Sequence, residues 1–91
     1  MVLQWSSKAL SDLARLYAFL APLNQAAAVH TIQKLTAAPS ILLDNARIGE
    51  RLEEFEPREV RRILVGNYEM RYEIQGANIF VLRLWHTREA R

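Results

Sequence analysis

The chain has no cysteine. That excludes a disulfide scaffold, a cysteine-ligated zinc or iron–sulfur centre and a thiol nucleophile. Stability must then come from apolar packing, as is usual for cytosolic proteins. No apolar run approaches the roughly 18–20 residues of a membrane span. The opening Met1-Val2-Leu3-Gln4-Trp5 lacks the basic-then-apolar order of a signal peptide. No membrane partner is expected, and the expected location is the cytoplasm. The chain is also too short for a dinucleotide fold with a separate substrate domain, or for a barrel of about 250 residues.

Ninety-one residues fit one domain, expected to span 1–91. A chain of this size buries roughly two-thirds of its unfolded surface, enough for one modest core. Lysine is scarce: arginine outnumbers it ten to two, and the pI is about 9.4 although the net charge is only +2. The charge is uneven. Residues 1–40 carry three bases and one acid, residues 41–57 two bases and five acids, and residues 58–91 seven bases, all arginine, against four acids. A basic C-terminal third suits an anionic partner such as RNA or an acidic protein. The plain alternative is a solvated surface.

Val2 to Trp5 reads as a short strand. Ser6 or Ser7 then caps a helix. Leu10, Leu13, Leu16, Tyr17 and Leu20 recur at helical spacing and form its apolar stripe, with Lys8, Asp12 and Arg15 on the other face. Pro22 ends this helix. Asn24 caps a second, whose stripe is Ala28, Ile32 and Leu35, and Pro39 stops it. The short link makes the helices antiparallel neighbours, and Ala26, Ala27 and Ala28 allow close approach. Residues 40–57 show no clean period. Ile41-Leu42-Leu43 and Phe55 are expected at the core edge, with a short strand near Arg51-Leu52. Glu50, Glu53, Glu54 and Glu56 read as a solvated loop, not a metal site, because no His or Asp joins them.

The last third changes period. Glu59 to Val65 reads as a strand and Gly66-Asn67 as a hairpin turn. Tyr68, Met70, Tyr72 and Ile74 alternate with Glu69, Arg71 and Glu73. Gly76-Ala77-Asn78 turns again, and Ile79 to Trp85 makes a central, covered strand. The layout is β-α-α-β-β-β, an α+β domain in which a helix hairpin covers one face of an antiparallel sheet.

Three segments in this order carry a family resemblance. They are Arg61-Arg62-Ile63-Leu64-Val65-Gly66-Asn67-Tyr68, Met70-Arg71-Tyr72, and Val81-Leu82-Arg83-Leu84-Trp85-His86-Thr87-Arg88. More loosely, Ser7, Ala9, Asp12, Leu13 and Pro39 agree too. The chain resembles the RelE/ParE toxin superfamily of bacterial type II toxin–antitoxin systems, whose members take part in plasmid stabilisation and growth inhibition. The resemblance implies a cognate ParD/RelB-like antitoxin and one of two activities. RelE-like members cleave mRNA on the ribosome, and ParE-like members inhibit DNA gyrase. The ending His86-x-Arg88 resembles ParE-like members. RelE-like nucleases usually carry an arginine just after the aromatic that opens the middle strand, and Glu69 stands there. A carboxylate opposes the growing phosphate charge of RNA cleavage. The expectation is therefore a ParE-like gyrase inhibitor without chemistry of its own, cofactor or metal. Two alternatives stand beside it: a metal-independent mRNA endonuclease using Arg62, Arg71, Arg83, His86 and Arg88, and an inert homologue that keeps antitoxin binding.

Alternation and the family register sort the sheet faces. Tyr68, Met70, Tyr72, Ile63, Val65, Phe80, Leu82 and Leu84 are expected in the core. Arg62, Leu64, Glu69, Arg71, Glu73, Val81, Arg83 and Trp85 are expected on the open face. Arg62, Arg71, Arg83 and Trp85, with Arg88, are the candidate residues for binding antitoxin or target, since arginine beside a large aromatic suits either RNA or a protein interface. Alternatively, Arg71 and Arg83 merely pair across strands with Glu69 or Glu73. His86 shares the side of Leu84, which favours a structural role at the strand end over acid–base work.

Overall fold

The computed structural model describes residues 1–89; Ala90 and Arg91 lie outside the described residues. Strand β1 (Val2–Trp5) leads into helix α1 (Ser7–Leu20). The Ser6 hydroxyl accepts from the Ala9 N–H at 3.0 Å and so satisfies one of the helix's free donors. Helix α2 (Gln25–Ala37) starts in the same way, with Asn24 Oδ1 accepting from the Ala27 N–H. Pro39 does not halt the chain's coiling. It sits near the start of a 3₁₀ turn, Ala38–Ser40, where a missing N–H is harmless, and a short helix α3 (Ile41–Asp44) follows. Strands β2 (Glu50–Arg51), β3 (Glu59–Val65), β4 (Tyr68–Gln75) and β5 (Asn78–His86) complete the fold. A 3₁₀ turn, Glu53–Phe55, and a cis Glu56–Pro57 bond lie between β2 and β3.

The sheet order is β1-β5-β4-β3-β2. The β1–β5 pair is parallel and the others antiparallel, so the sheet is mixed. In the β3–β4 hairpin, Gly66 takes φ +59°, the value a two-residue turn demands of its first central residue in the glycine-first type. β5 lies between β1 and β4, central as the sequence indicates.

The two helices and α3 cover one face. Ala9 and Leu16 of α1 and Leu35 of α2 pack on Met70, Val81 and Leu84. Beyond them Leu42 closes over Tyr72, Ile74 and Ile79. The apolar stripe of α1 is rotated from the leucine pattern. Leu10 is 54% exposed, whereas Ala9 and Asp12 are buried. Asp12 is therefore not on the solvent face, for a reason given below. Of the three consecutive alanines Ala26, Ala27 and Ala28 only Ala28 is buried; Ala26 and Ala27 face water. Likewise Leu42 is core while Ile41 and Leu43 are exposed.

One irregularity decides which β5 side chains reach which face. Arg71 pairs with Arg83 and the next residue, Tyr72, pairs with Val81, so Leu82 is an extra residue in β5. This is a β-bulge, in which two residues of one strand oppose one of its neighbour. Strict alternation over Phe80–Trp85 therefore fails. Val81 is fully buried among the core residues, and Leu82 lines a cleft on the opposite face. Phe80 pairs with Glu73, on that same open face. After the bulge the expected order returns, with Leu84 inward and Arg83 and Trp85 outward.

Candidate functional site

The open face is built from β3, β4 and β5. A cleft of about 580 Å³ lies there, lined by Phe55, Val60, Arg71, Leu82, Arg83 and Trp85. Phe55 reaches it from the turn before β3, so it sits over the open face and not at the core edge. The Arg71 guanidinium carbon stands 4.7 Å from the Trp85 ring centroid and 5.7 Å from that of Phe55. Arg83 approaches the same indole at 5.9 Å. These are cation–π distances. They leave Trp85 only 7% exposed, covered by its arginine neighbours and not bare in water.

Each arginine of the face has a carboxylate. Glu69 is 2% exposed and holds Arg71 at 3.0 Å and Arg62 at 3.4 Å. Arg62 also meets Glu50 at 2.7 Å, and Arg58 meets Glu73 through two bonds of 2.7 and 3.1 Å. Arg83 is gripped by Asp12 on α1. Pairing is thus the rule: Arg71 does meet Glu69, but along its own strand and not across strands, whereas Arg83 pairs with neither Glu69 nor Glu73 but with Asp12 of a helix. Arg58 holds the Glu73 carboxyl below its usual range against the opposing effect of burial. Burial pushes the Asp12 carboxyl up, yet bonds from Arg83, the Leu84 N–H and Arg15 bring it below the usual range.

His86 and Arg88 belong elsewhere. They line a second groove of about 640 Å³ on the helix side, with Arg15, Leu16, Phe19, Leu20, Tyr68 and Glu89. The His86 ring meets Tyr68 edge-on at 5.1 Å, and its Nδ1 accepts from the Arg88 N–H at 3.1 Å. The structure brings Arg71, Arg83 and Trp85 together, with Arg62 tied in through Glu69. It does not bring His86 or Arg88 to them. Phe55 and Asp12 were not singled out from the sequence as site residues. For Phe55 a signal existed, an aromatic in an otherwise acidic loop.

The model of the ParE toxin of type II toxin–antitoxin systems, parDE, matches residues 3–91. The chain belongs to the ParE toxin family. A solved chain of the chromosomal ParDE TA system from P. aeruginosa is similar to it, with a TM-score of 0.80 and 24% identity over 94% of this chain and 95% of that one. At that identity the likeness is one of fold. No curated protein matches. Within a ParE-family chain the ending His86-x-Arg88 has a visible local use: imidazole and following backbone close the end of β5. Among the described residues of this ParE-family chain, no group of His, Cys, Asp and Glu is placed to hold a metal ion, and no helix is long and apolar enough to cross a membrane.

Proposed function

We propose that this chain is a ParE-type toxin that inhibits DNA gyrase in the cytoplasm by binding it through the open face of the sheet. A cognate antitoxin neutralises it by covering the same residues, Arg62, Arg71, Arg83 and Trp85. The reading treats residues 1–91 as one toxin domain that works without cofactor or chemistry of its own.

The observation that carries this reading is Glu69, buried in the middle of the face between Arg71 and Arg62. Phosphate cleavage needs uncompensated cations where negative charge grows. Here Arg58, Arg62, Arg71 and Arg83 all lie against carboxylates. What the face offers instead is arginine guanidinium groups stacked over a largely covered indole, residue types typical of a protein-binding hot spot. The separation of His86 and Arg88 from the three arginines also argues against an assembled nuclease. Purified gyrase in a supercoiling assay tests the proposal. Inhibition at micromolar toxin is expected; translation-dependent mRNA cleavage with gyrase untouched would replace it with the RelE-like alternative.

A further inference from the structure

β1 leaves the sheet at Trp5, opposite Val81. From Leu82 onward no strand among the described residues pairs with that edge of β5, and Ser6 together with helix α1 takes over. Ser6 donates from its N–H to the Val81 carbonyl at 2.9 Å and from its hydroxyl to the Leu82 carbonyl at 2.8 Å. Asp12 Oδ2 accepts from the Leu84 N–H at 2.9 Å, and Arg15 donates to the Leu84 carbonyl at 3.1 Å. Helix side chains thus satisfy backbone groups that would otherwise be buried without partners. This explains why Asp12 is only 4% exposed.

Completing the edge would need only the Leu84 contact. Asp12 does more. Its Oδ2 also accepts from Arg83 Nε at 2.8 Å, and its Oδ1 from a terminal Arg83 nitrogen at 3.2 Å. That is a bidentate grip, the strongest and most directional form of an arginine–carboxylate pair. Arg83 remains substantially exposed. Its guanidinium is nevertheless fixed beside Trp85, on the ring that Arg71 also covers. An exposed arginine ordinarily has many rotamers to lose when a partner arrives. Here two bonds to Asp12 already restrict that freedom in the unbound chain.

We propose that Asp12 is a positioning residue for the partner-binding face: from helix α1 it holds the Arg83 guanidinium beside Trp85 in the pose that a protein partner's carbonyl or carboxylate oxygen meets. The inference rests on the open-face reading above, with gyrase as the partner. It implies that a helix residue outside the face sets the strength of binding through one arginine.

The test is a double-mutant cycle read in the gyrase supercoiling assay, with wild type, Asp12→Asn, Arg83→Ala and the double variant, each with its melting temperature. Asparagine keeps an acceptor for the Leu84 N–H but cannot pair as an ion. Asp12→Asn should weaken inhibition about tenfold when Arg83 is present and less than about twofold when it is alanine, since contacting residues couple and independent ones add. A purely structural Asp12 would cost the same factor in both backgrounds, and that result overturns the inference. Arg83→Lys serves if Asp12→Asn does not fold: it keeps the charge, loses the bidentate fork and leaves Asp12 in place. It should weaken inhibition nearly as much as Arg83→Ala at a near-native melting temperature, and wild-type potency in this variant overturns the inference. If wild type does not inhibit gyrase, or Arg83→Ala inhibits as well as wild type, the open-face reading itself fails.

Discussion

Glu69 is the residue that turns an arginine-rich strand pair into a charge-balanced surface. Buried charge is tolerated only when paired, and Glu69 is paired on two sides. Arg71→Ala should therefore do two things: remove a guanidinium stacked on Trp85, and strip Glu69 of a partner. A loss of about tenfold in gyrase inhibition and about 1–3 kcal/mol in stability is expected, read from supercoiling titrations and urea unfolding. At Tyr72 the chemistry is purely structural. Its hydroxyl accepts from the Gly49 N–H at 3.0 Å and donates to the Ala46 carbonyl at 2.8 Å. Tyr72→Phe should cost about 1–3 kcal/mol by leaving both unsatisfied, with toxin potency per folded molecule unchanged. Gly49 is close enough that a Cβ would lie 2.6 Å from both that hydroxyl and the Arg62 carbonyl. Gly49→Ala should destabilise by about 1–3 kcal/mol in the same unfolding experiment. At this scale Glu69 was legible, since its position after Tyr68 marks a departure from the nuclease pattern. Asp12 was not. Hydrophobic periodicity assigns every charged residue to solvent, and it cannot register a carboxylate drawn inward by an unpaired strand edge.

The element that most resisted reading is β5. Its sequence, apolar on both sides, leaves no alternation from which to detect one inserted residue. The family register places Arg83, Leu84 and Trp85 correctly because they follow the bulge. The same count inverts Phe80 and Val81, which precede the bulge, and Leu82, which is the inserted residue itself. β4 had no such ambiguity: acids and arginine alternate with apolar residues, and its faces came out as the pattern indicates. Helix starts were equally legible, because Ser6 and Asn24 act through local bonds. Ser6 carries a second, distant role that spacing cannot reveal, its bond to the Leu82 carbonyl at the bulge. Ser6→Ala therefore removes both a cap and a bulge contact. The expected loss is about 2 kcal/mol, toward the upper end for a cap substitution, with thermal unfolding as the measurement. A loss no larger than a few tenths would mean that the bulge holds without it.

Across the whole molecule, ion pairs tie the sheet to its surroundings. Asp12 links α1 to β5, Glu73 links β4 to Arg58 before β3, and Glu59 is paired to Arg47 and Arg61. All three carboxyls are held below their usual range: Glu73 and Glu59 chiefly by bonds from Arg58 and Arg47, and Asp12 because burial, the largest single effect, is outweighed by its three donors together. A carboxyl with a depressed folded-state value favours folding once the unfolded group is ionised. That contribution is full above about pH 5 and is lost as pH falls through the folded-state values. Urea midpoints should therefore fall between pH 6 and about pH 3, and fall less in Asp12→Asn than in wild type. The charge pattern of the sequence, an acidic middle and a basic last third, is real, but folding interleaves the two, as in Arg62–Glu50. Linear charge counts therefore overstated the basic surface, and only the register could show the compensation. On the proposed function, this balanced face, and not a catalytic centre, meets the target. The most direct measurement is calorimetric binding of the purified chain to purified gyrase, with Arg71→Ala alongside. Saturable binding by wild type, weakened about tenfold in the variant at unchanged stoichiometry, is the expected result; no binding by wild type, or equal binding by both, would contradict it.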